Sequence, residues 1–224
     1  MICSFAEAGI HHAIRGNTRG AGNENELDSS SDQYMGEGNP EQYGWVEKFD
    51  GVGGFTVKGG TTDYDYIDKS GVNYVAWCWK AGNETVVDNS GNLPATRSTN
   101  VDAGFSIIMT EGTDANNQKI PHGLGKAPEW ILGKQIDQGY NWDVFHVSCT
   151  AGSTLILNSA AAQDGTRDSY YNAGDGPVDS QFIYSKDEMV TSGGGKRTIL
   201  YAWTGIEGYS KFGTYRGNGA DDGT

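Results

Sequence analysis

Glycine placement constrains this chain more than any motif does. Glycine makes up 34 of its 224 residues, about twice the ordinary share of ~7%. With asparagine and aspartate it punctuates nearly every gap between short apolar runs. Those runs are "GGFTVKGG" at 53–60, "NYVAWCWKAG" at 73–82, "AGFSIIMTEG" at 103–112, "EWILGKQI" at 129–136, "WDVFHVS" at 142–148, "STLILNS" at 153–159, "SQFIYSK" at 180–186 and "RTILYAWTG" at 197–205. Each has the length of a strand and is enriched in β-branched or aromatic residues. Turn formers bound each one. A chain interrupted this often leaves little room for helix, so the pattern predicts an all-β fold of antiparallel strands packed as a sandwich or paired sheets. The predicted core is Phe105, Ile107, Trp130, Leu132, Leu155, Leu157, Trp77 and Trp203.

Local readings refine this. "NYVAWCW" sets Tyr74, Ala76 and Cys78 against Val75, Trp77 and Trp79, which predicts a strand covered on both faces. "STLILNSAAAQDG" carries the best signal for a helical turn. "LDSSSDQ" at 27–33 and "DNSGNLPATRSTN" at 88–100 read as polar surface loops or linkers. Aromatics at 11% argue against disorder, and 5 prolines exclude a proline-rich linker.

Charge narrows the partners. Against 16 basic residues stand 29 acidic ones, a formal charge of −13. A polyanion such as DNA is repelled, with no Lys/Arg cluster to offset the balance, and an anionic membrane surface is disfavoured for the same reason. No apolar run approaches a membrane span, and the start "MICSFAEAGIHHAIRG" lacks the regions of a signal peptide. Cys3, Cys78 and Cys149 are widely spaced, which excludes a disulfide framework or a C-x-x-C motif. Cys78 within "AWCWK" reads as a small buried hydrophobe.

The stretch "HGLGKAPEW" at 122–130 offers both a lone histidine and dense turn chemistry. Pro128 belongs at a strand start or edge because it cannot donate to a ladder. Gly123 and Gly125 suit positive φ in the turn that feeds "EWILGK". His122 has no acid or nucleophile in a motif beside it, so it reads as a loop residue and not as a catalyst. His11 and His12 are adjacent, without zinc-ligand spacing, and read as surface residues. "DNSGN" at 88–92 and "GNGADDGT" at 217–224 carry calcium-type oxygens near glycine but complete no twelve-residue loop. They read as turns. There is no nucleophile elbow and no P-loop. Tyr34, Tyr43, Trp45, Tyr140, Trp142, Tyr170 and Tyr171 are candidates for stacking on sugar rings, although packing roles account for more of them. No catalytic, cofactor-binding or metal residue is singled out.

Internal repetition is a further signal. "FSIIMTEGTD" at Phe105–Asp114 and "FGTYRGNGAD" at Phe212–Asp221 share phenylalanine, glycine and aspartate at a constant offset. "YVAWCWKAGN" around Trp77 is likewise similar to "LYAWTGIEGY" around Trp203, and in both copies the Ala-Trp strand precedes the Phe strand. The chain is therefore read as the C-terminal part of a first repeat with a polar linker (1–100), a complete second repeat (101–208) and the start of a truncated third (209–224), a piece of a longer repeat protein. In this order, "YVAWCWKAG", "AGFSI", "HGLGKAPEWILGK", "NWDVFH", "LILNS" and "EGYSKFGTYRGNGADDGT" resemble the repeated domain of tail-fibre and other tail-associated structural proteins of marine bacteriophages. Such units often accompany concanavalin-A-like lectin modules. The resemblance covers about residues 70–224, with a weaker trace in "FDGVGGFTV", and the first 50 residues depart from it. It implies a virion component made in the host cytoplasm, built of β-rich repeats, with no catalytic motif or cofactor. The implied partners are other virion proteins or copies of the chain itself, as in trimeric fibres, and host surface glycan. Three functions follow as expectations: a structural repeat module of a tail fibre, a lectin-like carbohydrate-binding module, and a polysaccharide-degrading tail enzyme. The first fits the strands, turns and repeats best, and it is non-enzymatic.

Overall fold

The computed structural model describes residues 2–7, 10–16, 21–37, 40–49, 54–61, 67–113, 115, 118–150, 153–162, 178–185 and 194–219. The strands in these residues are β1 (Ile2–Glu7), β2 (Ile10–Gly16), β3 (Leu27–Asp28), β4 (Trp45–Phe49), β5 (Phe55–Lys58), β6 (Val75–Trp79), β7 (Val86–Asp88), β8 (Ala95–Asn100), β9 (Phe105–Glu111), β10 (Gln118–Pro121), β11 (Trp130–Gln135), β12 (Asp143–His146), β13 (Leu155–Ile156), β14 (Phe182–Ser185) and β15 (Arg197–Trp203). Among the described residues helix is confined to one 3-10 turn, Asn23–Asn25, and one α-helical turn, α1 (Pro40–Tyr43). The fold is all-β, as the glycine punctuation requires.

A seven-stranded antiparallel sheet in the order β13-β12-β11-β15-β9-β8-β7 is the centre of the molecule. Strand alternation sends neighbouring side chains to opposite faces, and both faces of this sheet are covered. On one face Phe105, Ile107, Leu132, Ile199, Tyr201 and Trp203 form a cluster that extends to Leu27, Ala81 and Trp142. On the other, Ile108, Ile131, Leu200 and Ala202 pack with Ile120, Leu124 and Ile183. Ile120 and Ile183 are paired residues of the two-stranded β10–β14 ribbon, so the second face is closed in the manner of a sandwich. This double cover explains why β15 is buried along its whole length after Arg197 and why β9, β11 and β15 read as nearly continuous apolar runs.

Register builds an aromatic stack into the first cluster. Trp203 lies opposite Trp130 on one side and Phe105 on the other. Their rings stack with centroids 4.6 Å and 4.8 Å from that of Trp203, and Trp79 meets Trp203 edge-on at 5.9 Å. Such pairs each contribute about 0.5–1.5 kcal/mol beyond the area they bury.

A four-stranded sheet in the order β3-β2-β1-β6 and the β4–β5 hairpin complete the structure. Val46 holds the hairpin with Ala21, Phe49, Phe55 and Val57. The boundary expected at residue 100 falls between β8 and β9, adjacent partners in the large sheet. The two Ala-Trp segments also occupy different places: β6 is the edge of the four-stranded sheet, whereas β15 is the centre of the seven-stranded one.

Several local expectations are corrected. Trp77 is 48% exposed, and β6 is covered on neither face except at Trp79. β6 pairs with β1 and, among the described residues, has no strand on its other side, so only its last residue reaches the core. Cys78 is accordingly exposed and not a core residue. Leu157 is 43% exposed: it follows the edge strand β13, and its backbone N–H donates to Trp142 O. Trp130 and Leu155 are half-buried against the cluster; Phe105, Ile107, Leu132 and Trp203 are buried as expected. No helix forms in 153–162, where the short β13 pairs with β12. The segments 27–33 and 88–100 are not free surface loops. The first contains β3 and the buried Leu27; the second contains β8, with Leu93 and Ala95 in the core.

Candidate functional site

His122 follows β10 directly and is completely buried. Its ring Nδ1 accepts a hydrogen bond from the Leu124 backbone N–H at 3.1 Å, which places the ring proton on Nε2. Nε2 then donates to Asp179 O at 3.0 Å. The His122 backbone is held as well: its N–H donates to Gln181 O, and its carbonyl accepts from Thr99 Oγ1. Thr99 has spent its one proton on that carbonyl, so in the 2.8 Å contact with Ser106 Oγ the serine is the donor. Arg97 donates through Nη1 to Thr99 Oγ1 and through Nε to Asp88 Oδ2 at 2.8 Å. Across the turn, the Asp179 carboxylate accepts from the N–H groups of Gln181 and Phe182 and from Tyr184 OH. One chain of contacts thus ties β7, β8, β9, β10 and the approach to β14 around the 122–125 loop.

Both glycines of this loop have positive φ, +74° at Gly123 and +71° at Gly125. Gly123 additionally lies against the Arg97 guanidinium. Burial holds His122 below its ordinary basicity, and Arg97 adds to the depression against the opposing pull of Asp179. The ring is a neutral strut under these conditions. The carboxylate of Asp88 lies below its ordinary value: burial opposes this, but hydrogen bonds from Ser90 and Arg97 prevail.

A second buried titratable group was not legible from sequence. Lys134, in the middle of β11, has no exposed surface, and its Nζ donates to the backbone carbonyls of Asp32 (3.0 Å), Gln138 (3.5 Å) and Tyr140. Three carbonyls meet three N–H donors. Burial lowers its pKa from 10.5 to about 8 although Asp32, Asp143 and Glu37 pull the other way. Nearby, Trp142 Nε1 donates to Asp28 O at 2.8 Å, and the Met35 N–H donates to Ile136 O. Residues 28–35 are thereby strapped to the β11–β12 end of the large sheet. The one sequence signal for this socket was a lysine inside the apolar run "WILGKQI".

The sequence-derived candidates scatter. Trp142 is fully buried and stacks on Tyr201, Trp45 is half-buried beneath Lys58 Nζ, Tyr43 and Tyr140 are half-buried, and Tyr34 is exposed. Tyr170, Tyr171 and residues 220–224 lie outside the described residues; His11 and His12 fall on β2. In the "DNSGN" turn, Asp88 Oδ1 accepts from Ser90 N–H and Oγ while Asn92 Oδ1 accepts from the Lys119 N–H. Among the described residues no group of three His, Cys, Asp or Glu side chains is placed to hold a metal ion.

A family model described as a domain of unknown function (DUF7483) matches residues 6–224. The chain belongs to that family. Neither the curated proteins nor the solved structures yield a match to it. The DUF7483 match includes both constellations, the His122 loop and the Lys134 socket, and also the N-terminal strap that the socket holds.

Proposed function

We propose that this DUF7483 chain is a non-enzymatic structural module of a virion appendage, built to stack with neighbouring units or with copies of itself and to meet the host surface. One observation carries the reading. The buried polar side chains at its two most organised sites, His122 and Lys134, spend their nitrogen atoms on the chain's own backbone. Groups held this way fasten segments together; they do not face a substrate. The resemblance to tail-fibre repeats points the same way. The edge strands β6 and β7 add a means of stacking, because Val75, Trp77, Val86 and Val87 are exposed on them and an unpaired edge is a template for another strand.

The deciding experiment is to locate the gene product in purified particles, by mass spectrometry of tail fractions and by density in an electron-microscopy map. Recovery in the tail fraction is the expected result. Absence from the particle, combined with release of reducing sugar from a host polysaccharide, overturns the reading in favour of a soluble enzyme. A carbohydrate-binding role has its own supporting observation in Tyr209 and Tyr215, which are 74% and 94% exposed. Binding on a glycan array that disappears in Tyr209→Ala and Tyr215→Ala identifies that role.

A further inference from the structure

Ala-Trp and Phe segments alternate along the chain: β6 at Trp77, β9 at Phe105, β15 at Trp203, and residues 211–218 at Phe212. In the large sheet the Phe strand pairs with the Ala-Trp strand that comes after it. β9 lies antiparallel to β15, with Phe105 opposite Trp203, Ser106 opposite Ala202 and Ile107 opposite Tyr201. Neither β6 nor 211–218 has such a partner among the described residues. β6 is the edge of its sheet and leaves Val75 and Trp77 exposed. Residues 211–218 join no sheet, and all of them but Phe212 are exposed, Tyr215 most of all. An open edge is a template for an added strand, and this segment suits one. Gly208 and Gly219 have positive φ, but neither Gly213 nor Gly217 does. No charged residue lies between Ser70 and Trp79, and none of residues 208–219 is acidic. In a chain of charge −13 these two stretches approach each other without like-charge repulsion.

We propose that residues 211–218 of one copy add to the β6 edge of a second copy, in the register that β9 keeps with β15. This rests on the reading of the chain as a stacking module and names the strands that stack. The register sets Phe212 opposite Trp77, Gly213 opposite Ala76, Thr214 opposite Val75 and Tyr215 opposite Tyr74. In the single chain Phe212 makes a tilted contact with Trp130, 6.0 Å between ring centroids. Pairing exchanges it for a contact of the kind Phe105 makes with Trp203, where the rings stack at 4.8 Å. Donor and acceptor are different surfaces, so the contact is head-to-tail and repeats from copy to copy.

The test is disulfide cross-linking between two versions of the full chain, each with Cys3, Cys78 and Cys149 replaced by serine. One version carries Ala76→Cys, the other Gly213→Cys or Gly217→Cys. Ala76 is exposed, and an added β-carbon at 213 or 217 meets nothing within 4 Å, so each copy tolerates the change. Residues opposite each other in an antiparallel pair have α-carbons about 4.5–5.5 Å apart, within disulfide reach. Position 217 lies about 13 Å further along a strand. Mixed at high salt and oxidised, the 76 and 213 chains should form a heterodimer in about tenfold excess over the 76–217 product. Equal yields overturn the proposal. So does the absence of any cross-link, or a 76–76 homodimer as the main product, since two β6 edges then meet each other. A second variant keeps the native cysteines and carries Thr214→Pro with Tyr215→Pro. Neighbouring residues face opposite edges of a strand, so one of the two prolines removes a ladder N–H. Sedimentation should show association about tenfold weaker, with urea unfolding unchanged. Self-association undiminished in this variant overturns the strand addition and leaves the stacking reading standing.

Discussion

A β-carbon at position 123 would collide with the Arg97 guanidinium, on a backbone with φ of +74°. A free arginine tip would swing aside at little cost, but this guanidinium is tied to Asp88 and Thr99. Gly123→Ala therefore breaks those contacts besides adding the left-handed strain of about 1–2 kcal/mol. Gly125, with nothing within 4 Å of the added carbon, incurs the strain alone. Urea unfolding should show Gly123→Ala to be less stable than Gly125→Ala by about 1–2 kcal/mol. Equal losses would mean that the guanidinium is not held. His122 supplies a pH dependence whose sign follows from its depressed basicity. Below the ordinary value of 6.5 the unfolded chain binds a proton that the folded chain refuses, so stability falls with pH from about 6.5 downward, by at most about 1.4 kcal/mol per unit. The loss ends once the native ring itself protonates and gives up the Leu124 N–H. Its charged surroundings are Arg97 on β8, whose partner is Asp88, and the Asp179 carboxylate shared with Tyr184. His122→Asn keeps an acceptor for Leu124 and loses the bond to Asp179 O. It should lower stability at pH 7 by about 1–3 kcal/mol and remove this group's share of the slope between pH 6.5 and 5.

Among elements, the strap 28–35 and the strand β6 make contrasting predictions. Lys134 anchors the strap by bonds to backbone carbonyls, and bonds from a charged donor contribute about 1.5–3 kcal/mol each. In Lys134→Met, amide exchange over residues 28–35 should accelerate roughly ten- to hundredfold, with the strands β9 and β15 unaffected. Unchanged exchange in the strap would remove Lys134 from this role. The lysine also contributes a rise in stability with pH: between about 8 and 10.5 the unfolded chain keeps a proton that the native chain has lost. Lys134→Met should abolish that rise. For β6 the exposure of Trp77 decides the outcome. Trp77→Ala should cost less than about 1 kcal/mol, whereas Trp203→Ala, which dismantles the stack with Phe105 and Trp130, should cost about 3–5 kcal/mol. Comparable losses by urea unfolding would place β6 inside a core.

At the scale of the whole molecule, a charge of −13 opposes contact between copies while apolar edges on β6 and β7 favour it. Salt shortens the screening length from about 10 Å at 0.1 M to about 3 Å at 1 M, so sedimentation should show self-association strengthening over that range. Lysine at Val75 and at Val87 blunts both edges, and the double variant should remain monomeric at high salt. Undiminished association would direct attention to another surface. Local chemistry determined the fold class and most of the strands. The runs containing β9, β11, β12, β14 and β15 carry their own apolar alternation and their own turn residues, and both act within a few positions. Strand β8 was missed because "ATRSTN" is polar, and a polar strand is recognised by its neighbours in the sheet and not by its composition. Partner choice was likewise invisible. "YVAWCW" and "LYAWTG" look alike, yet one is an exposed edge and the other a buried centre, because cover is supplied by distant segments. The same holds for Lys134 and His122. Each depends on carbonyls, rings or strands brought from far along the chain, and only tertiary structure decides what lies beside a side chain once it is buried.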